Sequence, residues 1–111
     1  MNSVILTGYL GNAPTRGGES GTSYARFSLA VSTRYKKEDG ERAERTDWLQ
    51  VVAFDGVAKS LADLGKGDLV GVVGRLRTNT WEKDGVARSA VEVVAQSVEF
   101  LRLKKEREAA H

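Results

Sequence analysis

Cysteine is absent from the 111 residues, and proline, methionine and histidine occur once each. Without thiols there are no disulfide staples and no thiolate metal sites, and a lone histidine at the last position, His111, cannot anchor a zinc constellation. An enzyme reading has equally little support: Asp47, Asp55, Asp63 and Asp68 suit cap and turn roles better than a metal cluster. No catalytic residue, metal or cofactor is expected. Long apolar runs are missing too, with nothing near the roughly 20 residues that a bilayer-spanning helix needs. The start, Met1 to Gly8, has no basic region and reaches glycine after three apolar residues, so it reads as a first strand and not as a signal peptide. The expected setting is cytoplasmic.

What is present describes a globular domain. A chain of 111 residues, 41% hydrophobic and 29% charged, fits one domain that buries roughly two-thirds of its unfolded surface. The net charge of +2 is too small to argue for a polyanionic partner, but its distribution is informative. Residues 71 to 81 hold Arg75 and Arg77 and no acid, whereas acids gather in 38 to 47 and 82 to 84, both read as loops.

Periodicity gives five strands and one helix. The first strand covers 3 to 10 and is closed by Gly11. A loop of glycine and small polar residues follows from Asn12 to about Thr22 and contains Pro14. Residues 24 to 35 alternate, with Phe27, Leu29 and Val31 on one parity and Arg26, Ser28, Ala30 and Ser32 on the other. A charged loop, Lys36 to Arg45, leads to a third strand over 46 to 54. Asp55 is then expected as an N-cap, with Val57, Leu61 and Leu64 on one helical face and Gly65 as the stop. A fourth strand spans 69 to 81, and Gly71 and Gly74 mark a sharp bend or a close backbone approach. A turn at Lys83, Asp84 and Gly85 joins it to a fifth strand over 86 to 95, extended through Phe100.

The order strand, strand, strand, helix, strand, strand is that of the OB-fold. The expected fold class is therefore all-β: a five-stranded Greek-key barrel with one short helix between its third and fourth strands. A sheet this short buries its apolar parity by curling on itself, while the helix plugs one end.

Side chains alternate across a strand. Thr46, Trp48, Gln50, Val52 and Phe54 therefore share one face, and Arg75, Arg77, Asn79 and Trp81 share another. Flat rings beside guanidinium groups suit a flexible polyanion with exposed bases. Tyr9 and Tyr24 flank the first loop and fit either base contact or packing. Phe27 reads as core, Phe100 as core or subunit contact.

Several sequence blocks carry a family resemblance. They are Asn2 to Gly11, Thr46-Asp47-Trp48 followed by Val51 to Phe54, Leu64 to Asp68, and Val73 to Thr78. In this order and spacing the chain resembles the bacterial single-stranded DNA-binding proteins from Asn2 to about Leu101. The resemblance implies a domain over 1–101 that binds and protects single-stranded DNA in replication, recombination and repair. It implies base-stacking at Trp48, Phe54, Trp81 and Tyr35, and phosphate contacts from Arg34, Lys36, Arg75, Arg77 and Arg88. For Tyr35 to face outward, a bulge or the strand's end must turn it, since an unbroken strand puts it on the parity of Phe27.

The resemblance also implies a homo-oligomer, expected to be a tetramer, and a nucleoid association. Val4, Leu6 and Leu49 are candidates for subunit contact or for core. Relatives commonly continue into a long tail with an acidic tip that recruits replication and repair proteins. Residues 102–111 are instead a charged extension, expected to be disordered or helical, with no such tip. Either the sequence stops short of a tail or it is a tail-less form such as a phage, plasmid or accessory version. The alternative function is an OB-fold docking factor of the replication machinery with weak nucleic-acid binding.

Overall fold

The computed structural model describes residues 1–19 and 22–102. Six strands and one helix follow in the order β1 (Val4–Leu10), β2 (Thr15–Glu19), β3 (Thr22–Lys36), β4 (Arg42–Phe54), α1 (Asp55–Ser60), β5 (Leu69–Lys83) and β6 (Val86–Arg102). The sheet runs β1-β5-β6-β4-β3-β2, and an added pairing of Tyr9 with Ala30 and Leu10 with Leu29 joins β1 to β3. Strands β1, β5, β6, β4 and β3 thereby close into the five-stranded OB barrel, with a short parallel contact of β4 on β6. Strand β2 hangs on the edge of β3 outside the ring.

Closure is driven by the apolar parity. Ala25, Phe27 and Leu29 from β3, Val51 and Ala53 from β4, Val70 and Val72 from β5 and Val93 and Ala95 from β6 form one core with Leu10. Ala58, Leu61 and Leu64 close one end of it. Two glycines make the ring possible. A Cβ on Gly8 would strike the carbonyl of Ala30 where β1 meets β3, and one on Gly74 would strike that of Val94. Gly74 also sits at a register shift of β5 against β6, so this strand bends where its glycine allows. The Asn2 amide holds the start of the chain by donating to the Leu76 carbonyl and accepting from the Leu76 N–H, at 2.7 and 2.8 Å.

Four details differ from the sequence expectations. The glycine-rich stretch contains strand β2, because an edge strand needs only backbone pairing and the Tyr24 ring covers the bare Cα of Gly17. Half of the expected charged loop, Lys36 and residues 42–45, belongs to β3 and β4, and the turn between them, closed by Gly40 at φ 89°, spans only Lys37 to Glu41. Asp55 is not the N-cap. Phe54 holds that place without a side-chain hydrogen bond, and Asp55 accepts instead from the Ser23 N–H at 3.3 Å. The helix also ends at Ser60, and Leu61 and Leu64 reach the core through a succession of tighter turns.

Two hairpins outrun the barrel. Residues 32–42 and 80–91 are exposed throughout, and the radius of gyration of 16.1 Å exceeds the roughly 13 Å of a compact domain this size. The β5–β6 arm ends in a two-residue turn with both Asp84 and Gly85 at positive φ (53° and 76°), as a tight hairpin requires. Arg102 still belongs to β6, and the rest of the charged extension lies outside the described residues.

Candidate nucleic-acid interface

The outward parity of β3, β4, β6 and β5 forms one continuous surface that includes both arms. On β3 it carries Tyr24, Arg26, Ser28, Ala30, Ser32, Arg34 and Lys36, opposite Phe54, Val52, Gln50, Trp48, Thr46, Glu44 and Arg42 on β4. On β5 it carries Arg75, Arg77, Asn79 and Trp81, opposite Val94, Glu92, Ala90 and Arg88 on β6. The pairing of Val52 with Val94 joins the two halves. Both valines are buried, at 0% and 7% exposure, so this polar face has a small apolar floor.

The rings stand open to different degrees. Trp48 is 61% exposed and Trp81 44%. The six-membered part of the Trp48 indole rests on Gly11, where a Cβ would lie 2.5 Å from the ring. The Gly11 segment is itself fixed, because the Gly11 N–H donates to the Ser28 carbonyl at 2.9 Å. Asn12 Oδ1 accepts from both the N–H and the hydroxyl of Ser28, at 2.9 and 2.7 Å. One face of the indole thus has a rigid support. Trp81 lies out on the β5–β6 arm directly across from Arg88.

Phe54 is half-buried at the start of the helix, with the Arg77 guanidinium 5.1 Å from its ring centre. Tyr24, its cross-strand partner, carries Arg26 at 5.6 Å. Tyr35 is exposed, yet its strand has no bulge: the β3–β4 register is unbroken from Tyr24–Phe54 to Lys36–Arg42. Tyr35 therefore keeps the parity opposite to Trp48 and is open because β3 runs past the core. Arg34, Tyr35, Lys36, Arg42, Ala43 and Glu44 line a shallow groove near the tip of that arm.

The five basic residues singled out in the sequence fall into three groups. Arg75, Arg88 and Lys36 make no ion pair with any described residue. Arg34 lies 3.8 Å from Glu44, but with 90% and 53% of these side chains exposed the pair is solvent-screened and weak. Arg77 is tied down: its Nε donates to Glu92 at 2.8 Å, while Arg26 Nη1 holds the other carboxylate oxygen at 2.6 Å. Burial of Glu92 opposes its ionisation, but hydrogen bonds from Arg77 and Arg26 and their positive charge outweigh this and hold its carboxyl below the usual glutamate range. The sequence reading missed Arg26 and Glu92 as parts of this face, because they are far apart in the chain and alternation marks only which side a residue occupies.

Comparison with known proteins agrees with the geometry. The profile of the single-strand binding protein family matches residues 1–101. Single-stranded DNA-binding protein 3 of Clostridium acetobutylicum is 41% identical, over 91% of this chain and 71% of its own. Single-stranded DNA-binding protein 1 of Chlorobaculum tepidum is 38% identical, over 94% of this chain and 67% of its own. Among solved structures, a deletion mutant of the Thermus aquaticus single-stranded DNA-binding protein superposes with a TM-score of 0.82 at 30% identity, covering 96% of this chain. The present chain spans about half (53%) of that protein. A Plasmodium falciparum SSB complex with ssDNA superposes with a TM-score of 0.81 at 27% identity, covering 91% of this chain and 95% of the other. The chain belongs to the single-strand binding protein family.

Proposed function

We propose that this chain binds single-stranded DNA without regard to base sequence, covering and protecting it during replication, recombination and repair. The observation that carries this reading is the exposure of Trp48 and Trp81 on one continuous face with Arg75 and Arg88, which have no ion pair among the described residues. Every base has a π-face, so stacking on the indoles is indifferent to sequence, while the arginines displace counterions from phosphates. No chemical step is required. Trp48, Trp81, Phe54 and Tyr35 are the proposed stacking residues, although Phe54 is partly covered and Tyr35 lies on the opposite parity. Arg75, Arg88, Lys36 and Arg34 are the proposed phosphate contacts, whereas Arg77, also expected as one, is held by Glu92.

Self-association, with a homotetramer as the expected assembly in the cytoplasm, is a further part of this reading. It is supported by the outward face of β1 and β5, where Ile5 pairs with Val73 and Leu101 lies beside Gly71, leaving Ile5 79%, Val73 38% and Leu101 47% exposed. The binding reading is tested by anisotropy with a labelled oligodeoxythymidine and a duplex of equal length. Tight binding of the strand alone is expected, because paired bases cannot reach the rings. Equal or preferential duplex binding would refute it, and weak binding of both would favour a protein-docking role.

A further inference from the structure

At the centre of the outward face lie two ion pairs that share one carboxylate, and their presence among the proposed phosphate contacts calls for a reason. Glu92, on β6, is only 4% exposed. Its two oxygens are held by Arg26 from β3 and Arg77 from β5 at 2.6 and 2.8 Å. The two guanidinium groups are in turn set over the rings of Tyr24 and Phe54. Two positive charges here share one negative charge, so the cluster presents one net charge to a ligand. The arginines remain 40% and 32% exposed, so a base can reach them.

We propose that Glu92 is a resident counter-ion of the interface. Given single-stranded DNA as the ligand, it occupies guanidinium groups that phosphates would otherwise take and makes Arg26 and Arg77 into flat surfaces for bases. A phosphate that drew either arginine away from Glu92 would leave a buried carboxylate short of a partner, which is strongly unfavourable. A base stacking on a guanidinium plane leaves the Glu92 hydrogen bonds in place, since those lie in the plane of the group. Charge neutralisation then falls to Arg75, Arg88 and Lys36, which have no carboxylate partner among the described residues. Arg34 makes the contrast plain, because its partner Glu44 sits in solvent at 3.8 Å and does not withdraw it from a ligand.

The test is the salt dependence of oligodeoxythymidine binding by the unaltered chain, R77Q and E92Q, with thermal unfolding to verify the fold. R77Q is expected to weaken binding at every salt concentration without the fall of about 0.7 in log–log slope that accompanies loss of a phosphate contact. E92Q is expected to steepen the slope by about 0.7 for each guanidinium it releases to phosphate. A slope that is shallower by about 0.7 in R77Q, or unchanged in a folded E92Q, overturns the counter-ion role. If E92Q does not fold, R77Q decides alone. A flat titration of the unaltered chain overturns the DNA-binding reading itself, and with it this inference. A normal titration with either contrary slope overturns the counter-ion role only.

Discussion

Replacing Trp48 separates stacking from packing. About two-fifths of the residue is covered, the rest being the 61% that is exposed. With side-chain burial of at most about 250 Å² for a tryptophan, the covered part is about 100 Å², or about 2.5 kcal/mol at ~25 cal/mol/Å². That is an upper bound on the folding cost of removing the indole, because the unfolded chain also hides some of it. Trp48→Leu keeps apolar contact with Gly11 but offers no π-face, whereas Trp48→Phe keeps a ring. The leucine variant should lose about 1 to 3 kcal/mol of binding, roughly 5- to 150-fold in Kd, and the phenylalanine variant much less. Both should retain the unaltered salt slope, because no charge has been removed. Kd is measured by anisotropy of a labelled oligodeoxythymidine at several salt concentrations. If the leucine variant, shown to be folded by its thermal unfolding transition, binds as tightly as the unaltered chain, Trp48 is not a stacking surface.

Arg88→Gln, which removes from beside Trp81 a cation with no carboxylate partner among the described residues, should make the salt slope shallower by about 0.7. An unchanged slope would remove Arg88 from the phosphate contacts. Gly74→Ala should destabilise the fold by about 1 to 3 kcal/mol in urea unfolding, since its Cβ has no room beside the Val94 carbonyl. A neutral result would contradict the close approach. Glu92 makes stability depend on acid: its folded pKa lies below the ordinary glutamate value of 4.5, so its contribution is complete above that value and is lost as pH falls through the folded one. Urea midpoints of Glu92→Gln, measured from about pH 6 down to about pH 3, should therefore decline less steeply than those of the unaltered chain.

The barrel was legible where burial imposes alternation. Phe27, Leu29, Val51, Ala53, Val70 and Val72 follow the period-two pattern because one side of each strand faces the core. Gly74 was legible because a bend without a Cβ leaves the same mark in any strand. Strand β2 was not, since Gly17 and Gly18 suggest a loop and the Tyr24 ring that covers Gly17 comes from the next strand. The arms were underestimated for a related reason. Beyond the core no apolar parity is needed, so Lys36 and Arg42 pair through the backbone alone.

For the interface, parity put Trp48 and Trp81 among polar neighbours, and both are exposed. It left Arg77 looking like any other surface cation. Its pairing with Glu92, and that of Arg26 from 66 residues away, arises only when barrel closure brings β3, β5 and β6 together.

Intrinsic tryptophan fluorescence, titrated with an unstructured oligodeoxythymidine at several salt concentrations, reports base stacking at the rings themselves because Trp48 and Trp81 are the only indoles in the chain. Saturable quenching that weakens as salt rises is the expected result. A folded protein whose emission does not change at low salt would contradict the account.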